Sequence, residues 1–285
     1  MSHDLLISAE QLQELLANKT PVRVFDCTAD LADAAAGQQQ YGQSHIPGAV
    51  YANLDTALSD KHGTGVSGGR HPLPTRQKFA DWLSGIGLAN DMQAVVYDRN
   101  GANYCGRLWW MLKWVGHANV AVLDGGLQAW QAAGGAVASG TEPAHFQASF
   151  ALSPELSKLI ATKTVADNLG RPVQTLIDAR GAPRFRGEVE PLDPIAGHIP
   201  GALNRPFSQN LGADGKFKPA EQLKAEFEAL LAGRDPASVV HHCGSGGSAV
   251  PNILAMQIAG LGTTGLDAGS WSDWCSDASR PMAQG

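Results

Sequence analysis

Residues 238 to 260 read SVVHHCGSGGSAVPNILAMQIAG. Five residues rich in β-branched and imidazole side chains are followed by a cysteine, a Gly/Ser loop, and then an apolar run of helical length. That order predicts a buried strand over 238–242, a tight loop from Cys243, and a helix over 249–259. A strand that runs through a short loop into a helix is the repeating unit of an α/β sheet, whose ligands gather at the carboxyl ends of parallel strands. Cys243 stands at such an end. Three glycines and two serines among residues 243–248 leave room for several backbone N–H groups to turn toward the sulfur. The start of the following helix adds partial positive charge. Such surroundings favour a thiolate, the nucleophilic form of cysteine.

The rest of the chain repeats this pattern. The run VRVFD ending at Asp26 is matched by VQTLID ending at Asp178, and HIPGA occurs at 45–49 and again at 198–202. Leu123-Asp124-Gly125-Gly126 with Trp130 is echoed by Leu266-Asp267-Ala268-Gly269 with Trp271 and Trp274. Ile7-Ser8-Ala9-Glu10 and Leu152-Ser153-Pro154-Glu155 each precede an apolar helical pattern. Ser8 suits an N-cap with Gln11 closing a capping box, and Pro154 suits a first helical position. The landmarks keep their order at a spacing far longer than a solenoid repeat, which indicates duplicated domains. Strands are expected at 22–26, 94–98, 119–123, 173–178 and 238–242. Helices are expected at 8–17, 75–85, 102–114, 153–162, 219–231 and 249–259. The fold class is therefore α/β, with two tandem domains that are each a mostly parallel sheet flanked by helices. The first domain is expected over 1–138, a linker over 139–152, where Gly and Pro break any period, and the second domain over 153–285.

Composition narrows the function. With 285 residues, 27 acidic against 21 basic side chains and a formal charge of -6, the chain has no basic excess for nucleic acid or an anionic membrane surface. No cationic start followed by an apolar segment opens the sequence, and no long apolar run crosses it. A soluble, cytoplasmic protein is expected. The four cysteines, Cys27, Cys105, Cys243 and Cys275, form no CxxC pair, so neither a zinc site nor a disulfide framework is expected. Cys27, Cys105 and Cys275 lack a glycine loop and read as packing residues. His241 and His242 invite a Cys–His dyad, but neighbours along a strand point to opposite faces, so packing is expected of them too. A cysteine phosphatase would need an arginine six positions after its nucleophile, and Ala249 stands there.

With paired halves, two HIPGA segments and CGSG after a strand, the chain resembles the tandem-domain rhodanese family of thiosulfate and 3-mercaptopyruvate sulfurtransferases. The resemblance spans nearly the whole chain. It implies a catalytic second domain and a first domain without the cysteine; after Val95-Val96-Tyr97 the matching place holds Asp98-Arg99-Asn100-Gly101. The first domain would serve as a packing and site-lining partner. CGSG at 243–246 looks like the mercaptopyruvate type of loop, and Gly247 and Ser248 depart from the usual CGSGVT. By resemblance Cys243 carries the sulfur as a persulfide, cradled by Gly244, Gly246, Gly247 and Ser248. Asp55, His71 and Ser245 form a polar relay. Arg184, with Arg186 beside it, binds the anionic end of the donor, a task suited to a bidentate guanidinium. A second arginine expected after Glu190-Pro191 is replaced by Leu192. The loop then lacks positive side chains, and both donors are expected, with 3-mercaptopyruvate modestly favoured. The implied reaction is a double displacement passing sulfur to cyanide, a small thiol or thioredoxin, with no metal or organic cofactor. A persulfide carrier that turns over no small donor is the alternative.

Overall fold

A computed structural model describes residues 3–285. The chain divides into two compact units. One comprises the residues up to Ser59 with Pro74–Leu156 and Ala213–Lys216, the other Asp60–Leu73, Ser157–Gly212 and Phe217–Gly285. Residues 60–73, which carry Arg70 and His71, thus belong to the second unit.

In the first unit the strands are β1 (Leu6–Ile7), β2 (Val22–Asp26), β3 (Val50–Tyr51), β4 (Gln93–Tyr97) and β5 (Val120–Leu123). They form one parallel sheet in the order β1-β5-β4-β2-β3. The helices are α1 (Ala9–Ala17), α2 (Ala36–Gln43), α3 (Arg76–Gly85), α4 (Cys105–Trp114) and α5 (Gly126–Ala132). The capping box read at α1 is present: Ser8 Oγ accepts the Gln11 N–H at 3.2 Å and Gln11 Oε1 accepts the Ser8 N–H at 2.9 Å. Every residue of β4 and of α4 is buried. Even Lys113 is enclosed, its ammonium donating to the Ala118 carbonyl at 2.9 Å.

The second unit repeats the plan. Strands β6 (Lys158–Leu159), β7 (Thr175–Asp178), β8 (Leu203–Asn204), β9 (Val239–His242) and β10 (Gly265–Leu266) pair in parallel in the order β6-β10-β9-β7-β8. Helices α6 (Thr162–Asp167), α7 (Ala182–Phe185), α8 (Ala220–Leu231), α9 (Val250–Ile258) and α10 (Ser270–Trp274) accompany them. Ile177, Leu223, Phe227, Val239, Ala255 and Met256 form one core cluster; Val240, Ile199, Trp271 and Trp274 belong to another.

The repeated motifs turn out to be scaffolding. Gly48 and Gly201, the glycines of the two HIPGA segments, have φ of +77° and +79°, a region that other residues enter only with strain. The ring Nδ1 of His45 donates to the Tyr41 carbonyl at 2.7 Å, and that of His198 to the Phe185 carbonyl at 2.8 Å. Each histidine backbone also bridges a later strand-like residue, Ala138 for His45 and Ala283 for His198. The indoles of Trp130 and Trp274 fix those later segments by donating to Ala136 and Pro281 carbonyls at 2.7 and 2.9 Å.

Two expected helices differ. Residues 153–162 are not helical until Thr162. The Ser153 and Leu156 N–H groups donate instead to the Val115 and Lys113 carbonyls at 3.1 and 2.9 Å, which holds the segment extended. The helix expected from 102 starts at Cys105, because Ala102 has φ of +63° and its N–H is held by the Asp98 carboxylate. No helix among the described residues is long and apolar enough to cross a membrane.

Candidate active site

Buried β9 delivers Cys243 to the end of the sheet, and the loop that follows is tied to the turn before α10. The Cys243 N–H donates to Ser270 Oγ at 3.1 Å, and the Cys243 and Gly244 carbonyls accept the N–H groups of Trp271 and Ser272 at 3.0 and 2.9 Å. The loop therefore curls back, and the Gly246 N–H points at Cys243 Sγ from 3.2 Å. Gly246 has φ of +81°, and a Cβ there would stand 2.5 Å from the Ala268 carbonyl oxygen. Only glycine fits. Gly247 and Ser248 continue the loop into α9 and are partly exposed.

The structure brings several of the expected residues together. Ser245 Oγ lies 2.8 Å from His71 Nδ1, both residues being buried. Arg184 stands beside Gly244: a Cβ on that glycine would lie 3.5 and 3.6 Å from its two terminal nitrogens. Its guanidinium grips Glu190 twice, Nη2 to Oε1 at 2.6 Å and Nε to Oε2 at 3.2 Å, and reaches Asp193 Oδ2 at 3.4 Å. Asp55 lies in the first unit, where its N–H donates to Asn53 Oδ1 at 2.8 Å. Arg186 is placed differently from Arg184, in an exposed pair with Glu188 at 2.6 Å.

Positive charge at the loop was underestimated from sequence. Arg70 Nη2 would lie 3.0 Å from a Cβ on Gly244, and Arg70 Nη1 is hydrogen-bonded to buried Asp193. Arg180, fully buried, is held by Asp178 at 2.7 Å and by Glu190 at 3.2 Å, and stacks 4.9 Å above the Trp271 ring. Burial works against its charge, but Asp178, then Glu190 and the nearby Cys243, outweigh that and hold the guanidinium protonated. Burial likewise raises the pKa of Glu190, yet hydrogen bonds from Arg184 and from the Leu192 and Asp193 N–H groups bring it below the usual carboxylate range. Three acids, Asp178, Glu190 and Asp193, thus position three arginines, so guanidinium groups stand at the loop even without a basic residue at Leu192. The only sequence signal for Arg70 was that it immediately precedes His71.

The other thiols and the imidazoles have different surroundings. Burial, reinforced by Asp26 and Asp98, pushes the Cys27 and Cys105 thiols well up, and burial raises Cys275. His241 touches Met256 Sδ at 3.3 Å, and burial drives its pKa down to about 3. Burial also lowers His242, against the opposing pull of Asp178 at 3.9 Å. Both imidazoles are neutral core groups. Among the described residues no cluster of three His, Cys, Asp or Glu side chains is placed to hold a metal ion.

A cysteine at a strand end, its sulfur facing a backbone N–H and flanked by guanidinium groups, is arranged to hold an anionic sulfur. The rhodanese-like domain family matches residues 8–133 and again 161–277, so the chain belongs to the rhodanese family. It is a sulfurtransferase, as its relatives along the whole length indicate. A probable 3-mercaptopyruvate sulfurtransferase of Pseudomonas aeruginosa is 45% identical over 100% of both chains. The thiosulfate sulfurtransferase of Gallus gallus is 32% identical, covering 94% of this chain and 92% of its own. Among solved structures, the 3-mercaptopyruvate sulfurtransferase SseA of Escherichia coli matches with a TM-score of 0.78 at 28% identity, over 95% of this chain and 100% of its own.

Proposed function

We propose that Cys243 carries the transferred sulfur as a persulfide, taken from 3-mercaptopyruvate or thiosulfate and passed to cyanide, a small thiol or thioredoxin. The observation that carries this reading is the position of Cys243 Sγ, 3.2 Å from the Gly246 N–H in a loop flanked by Arg70 and Arg184. A donor carboxylate or sulfonate end pairs with these guanidinium groups, which puts its sulfur within reach of the thiolate.

Cys243 attacks the donor sulfur. With mercaptopyruvate an S–S bond forms and the C–S bond breaks, its electron pair leaving as pyruvate enolate. The Ser245 hydroxyl, hydrogen-bonded to His71, supplies the proton that the enolate needs. With thiosulfate the S–S bond breaks and sulfite leaves with the pair, needing no proton. The acceptor then attacks the outer sulfur and restores the thiolate. Gly244, Gly246, Gly247 and Ser248 supply the loop backbone around that sulfur, while Arg186, paired with exposed Glu188, has no part in holding the donor. The protein works in the cytoplasm, a setting that suits four free cysteines.

Mass spectrometry tests the assignment. Protein treated with donor and freed of excess gains one sulfur atom on the peptide containing Cys243, and cyanide removes it. Full turnover with sulfur on another residue, or on none, contradicts the proposal.

A further inference from the structure

The loop after β4 has the same length as the loop after β9 and a glycine turn at the same place. Tyr97 pairs with Asp26 as His242 pairs with Asp178, so Asp98 stands in the first sheet where Cys243 stands in the second. The glycine with positive φ and the first helical residue follow at the same spacing in both: Gly101 at +70° and Cys105 in one, Gly246 at +81° and Val250 in the other. Beyond the glycine the loops differ, since Ala102 also has positive φ, +63°, and Gly247 does not, but each turns backbone N–H toward the residue at the strand end.

In the first unit that place is filled. Asp98 is buried, and its carboxylate accepts four backbone N–H groups. Oδ1 takes those of Asn100 and Ala102 at 2.8 and 3.1 Å, and Oδ2 takes those of Tyr104 and Cys105 at 2.8 and 2.9 Å. Four converging N–H donors are a site for an anion, and here the chain supplies its own.

We propose that the loop after β4 is a second anion cradle, kept closed by the Asp98 carboxylate as its permanent occupant, and that without this side chain it binds a small tetrahedral oxyanion such as sulfate. The first unit is then unavailable to donors because its cradle is filled, in addition to lacking the thiol. The inference stands apart from the role proposed for Cys243.

Thermal unfolding of the full chain with sodium sulfate in the millimolar range, at ionic strength held constant with chloride, tests this. The parent reports whatever the second unit contributes. Asp98→Gly should melt below the parent without sulfate. It should then gain roughly 2–4 °C more than the parent at a sulfate concentration a few times the dissociation constant, along a saturating curve. Asp98→Asn, which still fills the cradle, should be destabilised but respond to sulfate as the parent does. Should Asp98→Gly not stay folded in chloride, its refolding yield against sulfate reads the same binding. An Asp98→Gly response, in melting or in refolding, no larger than that of the parent overturns the proposal, and so does an equal gain by Asp98→Asn.

Discussion

Ser245 Oγ and His71 Nδ1 lie 2.8 Å apart, residues distant in sequence joined inside the second unit. If this pair protonates the departing enolate, its loss should fall unevenly on the two donors. Ser245→Ala and His71→Ala should each lower kcat with 3-mercaptopyruvate by about 10²-fold, at the low end for general acid catalysis, and alter thiosulfate turnover far less. Parallel steady-state assays measure the ratio. Equal losses with both donors would remove the proton relay from the account.

The arginines should act on binding. Removing a charge-assisted contact costs about 1.5–3 kcal/mol, so Arg184→Ala should weaken apparent donor affinity by at least about tenfold. Arg70→Ala should do the same by a similar factor. Each change leaves a buried acid short of a partner, Glu190 or Asp193, so melting curves should accompany the kinetics. An unchanged donor dependence in a folded variant refutes the role of that arginine.

Donor preference follows from the same charges. The parent should use both donors with modest preference for 3-mercaptopyruvate. Leu192→Arg should raise efficiency with that donor more than with thiosulfate, and the gain should be larger in an Arg70→Ala background. A parent strongly favouring thiosulfate, or no selective gain from Leu192→Arg, contradicts this reading of the pocket.

Stability should depend on His241. Burial takes its pKa from 6.5 down to about 3, so between those values the unfolded chain binds a proton that the folded chain refuses. The unfolded state holds more protons there, so stability falls as pH drops from 6.5 toward 3 and is insensitive to this group above that window. His241→Leu should therefore flatten acid unfolding within the window. Denaturant titrations at a series of pH values follow the slope, and an unaltered slope in the variant would show that another group sets it.

What could be read from the sequence was what local pattern determines. Ser8 and Gln11 make their capping box because both partners lie within one turn, and Cys243 announced itself through the glycines that follow it. Ser153 and Pro154 carried an equally good local signal, yet their segment is extended because the Ser153 and Leu156 N–H groups bond to carbonyls of Val115 and Lys113. Arg70 was missed for a related reason. Its place beside Gly244 depends on the segment 60–73 packing with the second unit, which no local pattern encodes. Asp98 was recognised as standing where the cysteine would be, but its four hydrogen bonds became visible only once the loop had a shape.

Cys27→Ser, Cys105→Ser and Cys275→Ser should retain turnover and lose stability, by about 1–3 kcal/mol where the buried hydroxyl finds no partner. Their thiols are pushed up by burial and none faces a glycine loop. A folded Cys105→Ser protein without activity would mean that the wrong thiol has been assigned.

The central claim rests on one sulfur atom. Turnover of Cys243→Ser, measured with both donors beside a circular-dichroism and melting comparison with the parent, tests it most directly. The account predicts a folded protein with sulfur transfer abolished for both donors, since the oxygen fills similar space but cannot carry a sulfane sulfur. Substantial transfer by the folded variant would contradict it.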